Sequence, residues 1–315
     1  MTRSLQILLT DIVDYAGLFP PAALSMDRAA ETYARARTSG EEWMLGRFVC
    51  PAARLDELSQ SAAAMMPGTH ATSGYRERVV GLEPWAISAI VDAPDVESLE
   101  KELDRIDRFN ARHSSEDAGL ARVDMAEIRV LDVQRIDEFM DRLPEDLFPF
   151  FEFPVTTDCR GFVAALSGSG AGAKIRTGGV VGNAFPTPEE VAAFIEACAA
   201  ADVPFKATAG LHHPVRGIHP LTYEPGCASC TMHGFLNVFV AAVLVRTIRH
   251  DQDLVRRVIE DSDPANFRFS EEVLGWREFL VSVTDVARAR ESFALSFGSC
   301  SFDDPVGDLR KLGLL

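Results

Sequence analysis

The sequence predicts a (β/α)8-type TIM barrel, complete or incomplete, with about seven to eight parallel strands in a single domain over residues 1–315. Strand-like and helix-like segments alternate along most of the chain, and such alternation is typical of a parallel sheet. Seven or eight repeats favour a barrel over an open doubly wound sheet. No repeat, low-complexity tract or linker divides the chain, and 315 residues can bury one substantial core.

The first forty residues are predicted to form an N-terminal helical extension. Residues 5–15 have a helical spacing of apolar side chains that ends at the turn 17–21, and Ser25 is placed to cap a helix through Ala36. Strands are then expected at residues 45–50, 85–91, 126–130 and 150–155, around Lys174 and Lys206, and at 295–302. The helices between them are expected at residues 53–65, 96–111, 136–143, 162–166 and 188–201.

Residues 214–294 are interpreted as an insertion before the last strand, mostly helical from residue 235 onward. The longest loops are expected at residues 69–79 and 214–232. The helix that begins at Phe235 is apolar nearly all round, which is typical of a packed core helix or of a subunit contact in a homo-oligomer.

The composition limits the classes of partner. A formal net charge of −16 argues against nucleic acid or an anionic membrane as the main partner, although a local pocket can still be basic. The first fifteen residues lack the apolar core of a signal peptide, and the most apolar run, 235–245, is too short to span a bilayer. Six scattered cysteines do not resemble a disulfide framework. We therefore expect a cytoplasmic protein.

Several charged residues lie on strands that should be buried. Residues two apart on a strand share a face, so Glu127 points the same way as Arg129, and Lys174 the same way as Arg176. If this face is the inner one, four or five cations and two carboxylates meet where β/α barrels place their active sites. That predicts a site for a small anionic or polar carbonyl compound. The alternative is a structural ion-pair network, or side chains that reach outward between helices. The charged strand residues are Arg47, Glu127, Arg129, Glu152, Lys174, Arg176 and Lys206.

Four segments resemble the deoxyribose-phosphate aldolases, a class I aldolase family of β/α barrels. Lys174-Ile175-Arg176-Thr177-Gly178 resembles the family's Lys-x-x-Thr-Gly strand, which carries its Schiff-base lysine. Residues 205–210 are similar to the next strand, whose lysine lowers the pKa of the first, and residues 297–301 resemble a Gly-Thr-Ser-Ser type phosphate-binding turn. The strand with Glu152 is similar to a glutamate-bearing strand at the matching place. The resemblance implies a Schiff base on Lys174, assisted by Lys206.

The chemistry of these residues supports the same hypothesis. A free lysine, with a pKa near 10.4, is seldom neutral, but a neighbouring cation and desolvation favour its neutral form. We expect Arg176 and Lys206 to act on Lys174 in this way, and Glu127 or Glu152 to shuttle the proton. The leading hypothesis is a cofactor-free class I aldolase or lyase with a small anionic carbonyl or phosphorylated substrate. Backbone N–H groups for its anionic part are expected at Gly178, Gly179, Gly210, Gly298 and Ser299.

Two other hypotheses remain open. His212 and His213 follow the sixth strand and are expected to line the pocket as acid, base or ligand. With Cys227 and Cys230 they are residue types that bind zinc, so the second hypothesis is a metal-dependent lyase or hydrolase, although the two cysteines are also consistent with free thiols in a loop. The third is a non-catalytic barrel that binds an anionic metabolite through Arg47, Lys174, Arg176 and Lys206.

Overall fold

Eight parallel strands close into a barrel in a computed structural model that describes residues 1–68, 83–156, 158–248 and 253–315. The predicted TIM-barrel-type fold is therefore confirmed, and the barrel is complete. The loop expected at 69–79 lies outside the described residues. The strands follow the order β1-β13-β7-β6-β5-β4-β3-β2 around the barrel. Their bounds are β1 Val13–Tyr15, β2 Leu45–Pro51, β3 Trp85–Val91, β4 Ala121–Arg129, β5 Phe148–Glu152, β6 Gly172–Arg176, β7 Phe205–Thr208 and β13 Ala294–Ser299.

Helices pack against the strands through one continuous apolar core. Two helices begin and end as predicted: the helix after Ser25 ends at Ala36, and the helix before β7 spans Pro188–Ala201, with Thr187 and Glu190 forming a capping box at its start. The helices in the described residues are α1 Arg3–Leu9, α2 Met26–Ala36, α3 Leu55–Ala62, α4 Val96–His113, α5 Gln134–Met140, α6 Arg160–Leu166, α7 Pro188–Ala201, α8 Phe235–Thr247, α9 Leu254–Glu260, α10 Val283–Ser292 and α11 Asp303–Lys311.

The N-terminal prediction is wrong in part. Helix α1 ends at Leu9, and Val13–Tyr15 is the first strand of the barrel, so residues 1–40 are not a purely helical extension. All three residues of β1 are buried, and a strand that is buried on both faces has no alternating pattern to reveal it. The apolar residues before it also continue the helical spacing of α1.

The prediction of a mostly helical stretch from residue 235 is also wrong in part. Helices α8, α9 and α10 are present, but an antiparallel sheet of three short strands lies between α9 and α10. Its strands are β10 Phe267–Phe269, β11 Val273–Trp276 and β12 Phe279–Ser282. The expected loop 214–232 likewise contains a hairpin of β8 Gly217–Pro220 and β9 Ser229–Met232. Strands of three or four residues are too short for periodicity to distinguish them from loops.

Helix α8 is a core helix of this chain. Its residues from Phe235 to Leu244 are all buried, and the rings of Phe235 and Phe239 pack on Phe297 of β13 at centroid distances of 5.2 and 5.9 Å. None of the helices in the described parts of the chain combines the length and the apolarity needed to cross a membrane.

Asp261 connects the three-stranded sheet to the helices behind the barrel. It is 7% exposed, and its Oδ2 accepts hydrogen bonds from Trp276 Nε1 at 2.9 Å and from Asn266 Nδ2 at 2.9 Å. Arg277 Nη2 lies 3.1 Å from the same oxygen. The backbone carbonyl of Asp261 accepts a bond from Asn237 on α8 at 2.8 Å.

We expect Asp261→Ala to lower the free energy of unfolding by about 3 kcal/mol, because the buried donor on Trp276 and the half-buried amide of Asn266 lose their acceptor. Urea denaturation followed by circular dichroism would measure the change. The matched control is Glu271→Ala, an exposed acidic residue, which should change the free energy by less than about 0.5 kcal/mol. Equal stabilities of the two variants would contradict this role for Asp261.

Candidate active site

Five barrel strands each place one charged side chain in the interior of the barrel. Glu152 on β5 pairs in register with Lys174 on β6, and Lys174 pairs with Lys206 on β7, so these three residues stand at one level. Burial is nearly complete, from 0% exposed for Asp14 and Lys206 to 8% for Glu152. The five residues are Asp14, Glu127, Glu152, Lys174 and Lys206.

These side chains form a continuous chain of ion pairs. The Lys206 ammonium lies 2.6 Å from Asp14 Oδ2 and 2.6 Å from Glu127 Oε1. The Lys174 ammonium lies 2.7 Å from Glu127 Oε2 and 2.7 Å from Glu152 Oε2. The other oxygen of Glu152 accepts a hydrogen bond from Arg176 Nε at 3.1 Å. We call this the ion-pair chain, and its members alternate in charge in the order Asp14, Lys206, Glu127, Lys174, Glu152, Arg176.

Two serines complete the hydrogen bonding of the buried carboxylates. Ser88 on β3 donates to Glu127 Oε1 at 2.6 Å, and Ser296 on β13 donates to Asp14 Oδ2 at 2.6 Å. Buried charges are tolerated when they are both paired and hydrogen-bonded, and these carboxylates meet that condition. Asp14, Ser88 and Ser296 were not predicted from the sequence. The available signal was a polar residue within an otherwise apolar strand.

The pairing shifts the pKa values of the buried groups. Burial opposes the charged form of Glu127, but the adjacent ammonium groups of Lys174 and Lys206 outweigh burial and hold its pKa well below the usual range. Burial likewise opposes the charge of Glu152, and Lys174 and Arg176 lower its pKa. Desolvation disfavours the Lys206 ammonium, but the carboxylates of Asp14 and Glu127 raise its pKa. Both glutamates are therefore ionised at neutral pH.

A pocket of about 660 Å³, which we call the barrel-mouth pocket, opens at the carboxyl ends of the strands. Most of the site residues that were predicted from the sequence lie on its wall. Lys206 is not on the wall, since it is fully buried beneath the pocket. The sequence-predicted residues that line the pocket are Glu127, Arg129, Glu152, Lys174, Arg176, Gly178, Gly179, His212 and Gly298.

The assignment of Arg47 to this site is wrong. Its guanidinium makes a two-point ion pair with Asp124, with both N···O distances 2.8 Å. Both residues line a different cavity, together with Asp11 and Arg122. Asp11 lies just before β1 and Arg122 lies at the start of β4, so this cavity is at the amino-terminal end of the barrel. Alternation along a strand predicts the face of a side chain, but it does not predict at which end of the barrel that side chain lies.

Gly178 and Gly210 let two loops approach each other at the pocket. A Cβ added to Gly178 would lie 2.9 Å from Gly210 Cα, and Gly210 has a φ of +76°. These glycines therefore have a steric role. Ser299, which was expected to bind an anion, is 2% exposed and donates its hydroxyl to the carbonyl of Ser301 at 2.7 Å.

The four residues of the metal hypothesis do not come together. Among the described residues, no three histidine, cysteine, aspartate or glutamate side chains are grouped in a way that could hold a metal ion. His213 Nδ1 lies 2.5 Å from Asp308 Oδ2, and Cys227 Sγ donates to the Thr222 carbonyl at 3.2 Å. Cys230 lies on β9 of the hairpin, whereas His212 faces the barrel-mouth pocket.

Neither the family models nor the curated proteins that were compared with this chain match it. The fold and the site therefore define its class: a parallel β/α barrel with a lysine–carboxylate ion-pair chain beneath a pocket at the carboxyl ends of its strands. The resemblance to deoxyribose-phosphate aldolases stays a prediction from the sequence.

We expect Lys206→Met to lower the free energy of unfolding by about 3–5 kcal/mol, because Asp14 and Glu127 lose the cation that they share. Urea denaturation would measure the loss. Lys101→Met is the matched control, since Lys101 is exposed on α4 and pairs only with Glu97 among the contacts described. A loss in Lys206→Met no greater than in this control would contradict a buried, mutually dependent ion-pair chain.

The lowered pKa values of Glu127 and Glu152 also predict how stability depends on pH. Their folded-state pKa values lie below the ordinary value of 4.5, so the unfolded chain binds more protons in acid. Their contribution is full above about pH 4.5 and is lost as the pH falls towards the folded-state values. We expect Glu127→Gln to flatten this acid slope, measured as urea midpoints between about pH 3 and 7. An unchanged slope, equal to that of Glu271→Gln, would contradict the assignment.

Proposed function

We propose that this protein is a class I aldolase or lyase-type enzyme that forms a Schiff base between Lys174 and a small anionic carbonyl substrate. The observation that carries the proposal is the position of the Lys174 ammonium, on the wall of the barrel-mouth pocket and 2.7 Å from each of two carboxylates. The resemblance of residues 174–178 to the lysine strand of class I aldolases supports the same assignment.

The two buried lysines differ in their access to the pocket. Lys174 lines the pocket, with 5% of its side chain exposed. Lys206 is fully buried between Asp14 and Glu127, and its ammonium also lies 5.6 Å from the centroid of the Phe150 ring. A substrate in the pocket would meet Lys174, so Lys174 is the nucleophile in this proposal and Lys206 positions Glu127.

The proton of Lys174 has a short route away from nitrogen. Neighbouring cations were expected to disfavour the ammonium form, but Glu127 lies between the two lysines and Glu152 lies between Lys174 and Arg176. Direct transfer to one of these ionised carboxylates, over 2.7 Å, would give the neutral amine that attacks a carbonyl.

The same carboxylates are suited to the next intermediate. Attack of the amine on the carbonyl carbon, followed by loss of water, would leave a protonated imine at the position of the former ammonium. Its positive charge would remain between Glu127 and Glu152, which already stabilise a cation there. Fixed groups of opposite charge that need not reorganise are the main source of electrostatic catalysis.

An anionic substrate is supported by two arginines at the entrance. Arg129 and Arg176 both line the barrel-mouth pocket, and 54% of the Arg176 side chain is exposed. Among the contacts described, only Nε of Arg176 bonds to Glu152, so its other nitrogens can donate to a ligand. A carboxylate or phosphate would accept hydrogen bonds from these guanidinium groups.

Borohydride trapping tests the proposal. The chain has four lysines, Lys101, Lys174, Lys206 and Lys311, so an adduct can be assigned by peptide mass. We expect incubation with pyruvate, acetaldehyde or dihydroxyacetone plus borohydride to give a reduced adduct on Lys174. The adduct should be lost in Lys174→Ala and retained in Lys101→Ala.

The other outcomes would reject the proposal in distinguishable ways. An adduct that persists in Lys174→Ala would assign the reaction to another amine. Tight binding of an anionic carbonyl compound without an adduct would favour the non-catalytic barrel, and catalysis that disappears with a chelator would favour the metal-dependent hypothesis.

A further inference from the structure

A second cavity of about 310 Å³, which we call the side cavity, lies beside the barrel-mouth pocket. Pro20, Gly179, Ala209 and His212 line both spaces, so the two are neighbours that share a wall. The outer wall of the side cavity comes from helix α11 and from the loop between β8 and β9. Its volume is that of several water molecules, which suits a fragment of a few carbon atoms.

The two spaces differ in charge. In the barrel-mouth pocket three cations, Arg129, Lys174 and Arg176, balance three acids, Asp92, Glu127 and Glu152. The side cavity has three aspartates and one lysine on its wall, namely Asp303, Asp304, Asp308 and Lys311. The side cavity is therefore the more negative of the two spaces, and an anionic group is disfavoured there. The side cavity also offers hydroxyl and carboxylate groups that bond hydroxylated compounds, such as Tyr223, whose hydroxyl donates to Asp304 at 2.7 Å.

His212 stands where the two spaces meet. The chain reaches it through two left-handed residues after β7, Ala209 at φ 61° and Gly210 at φ 76°. Its Nδ1 lies 3.4 Å from Ser299 Oγ and 3.7 Å from Asp304 Oδ2, and its Nε2 lies 4.0 Å from Cys300 Sγ. These are long distances, so neither nitrogen is held by a close partner among the described residues.

Another histidine shows the contrast. Both ring nitrogens of His113 lie 2.7 Å from a partner, Ser59 on one side and the Gly119 carbonyl on the other, which is the pattern of a structural histidine. Burial lowers the pKa of His212, with a further lowering by His213 and an opposing effect of Asp304. The imidazole is therefore neutral near pH 7 and can accept a proton.

We propose that the side cavity binds the aldehyde fragment of the substrate, an uncharged and hydroxylated aldehyde. His212 accepts the hydroxyl proton of this fragment in cleavage and returns it to the aldehyde oxygen in condensation. This inference rests on the proposed function. In the cleavage direction, the hydroxyl group next to the breaking bond gives its proton to His212 as its oxygen forms the aldehyde carbonyl. The carbon–carbon bond breaks, and its electron pair moves into the iminium on Lys174 to give an enamine. Condensation follows the same steps in reverse.

Filling the side cavity tests the binding part. Gly307 on α11 lines the cavity, and a Cβ added there meets nothing within 4 Å, so Gly307→Leu should fill the space without disturbing the helix. The matched control is Gly161→Leu, also at an accommodating helical glycine, where the nearest atom is Val133 Cγ2 at 3.9 Å. We expect Gly307→Leu to keep the borohydride adduct on Lys174 and to lose at least about tenfold in condensation with glyceraldehyde relative to this control.

The charge and the proton carrier are tested in the same assay, with pyruvate, acetaldehyde or dihydroxyacetone as the adduct-forming compound. The unsubstituted protein should condense with glyceraldehyde at least about tenfold faster than with anionic glyoxylate. His212→Gln should slow condensation by about 10²–10⁴-fold yet retain both the adduct and deuterium exchange at the carbon next to the imine. His219→Gln, in the nearby hairpin, is the matched histidine control.

Each contrary result would overturn a specific part of the proposal. Equal condensation by Gly307→Leu and Gly161→Leu, or a preference for glyoxylate, would overturn the side cavity as the aldehyde site. Normal condensation by His212→Gln, or loss of its adduct, would overturn the proton-carrier role. An adduct in the unsubstituted protein without any condensation with glyceraldehyde would overturn the inference and leave the Schiff base standing. No adduct with any carbonyl compound would overturn the proposed function itself, and the inference with it.

Discussion

The carboxylate of Glu127 is the group on which the rest of the site depends, because each of its oxygens pairs with a different buried ammonium group. Removing two lysines and three carboxylates from water is costly unless every charge has partners of opposite sign. The ion-pair chain meets that requirement: three carboxylates are matched by two ammonium groups and one guanidinium. Glu127 links the fully buried half of the chain, which includes Asp14 and Lys206, to the half that faces the pocket.

The closed barrel is what makes this arrangement possible. Asp14 on β1 and Glu127 on β4 are far apart in sequence and do not lie on adjacent strands, yet both reach Lys206 across the interior. Parallel register sets Glu152, Lys174 and Lys206 at one level on three successive strands. Asp14 on the first strand then pairs with Lys206 and accepts a hydrogen bond from Ser296 on the last strand. Two lysines in similar local sequence thereby acquire different environments, one enclosed and one at the pocket.

Much of this could be predicted from the sequence, and the reasons for the failures are physical. Strand alternation placed Glu127, Glu152, Lys174 and Lys206 on inward faces, and the structure brings these four together. Asp14 was missed because its strand has only three residues, all of them buried. The apolar residues before this strand also continue the helical spacing of α1. Arg47 was placed at the wrong end, since neither residue type nor alternation encodes height along the barrel axis.

The hydrogen-bonding serines show a different limit. Ser88 and Ser296 are common, uncharged residues whose importance comes only from the atoms that they reach, Glu127 Oε1 and Asp14 Oδ2. A serine within an apolar strand marks a candidate position. It does not show which carboxylate the hydroxyl reaches, because the contact joins strands whose order in space is set by closure of the barrel.

The ion-pair chain also bears on how a strongly acidic protein could use a lysine as a nucleophile. In the proposed reaction, formation of an imine would convert one cation at Lys174 into another, so Glu127 and Glu152 would meet the same charge before and after it. The change that the site would have to accommodate is therefore confined to the brief neutral state of the amine, in which one of the two carboxylates would hold the proton. Lys206 remains a fixed cation beneath them, with its pKa raised by Asp14 and Glu127 despite desolvation, and it limits how long Glu127 would keep that proton. Glu152 pairs with Arg176, whose half-exposed side chain lines the pocket in which a substrate anion would bind. Binding of that anion would draw Arg176 away from Glu152 and leave this carboxylate the better proton acceptor, which would couple recognition of the substrate to activation of the lysine.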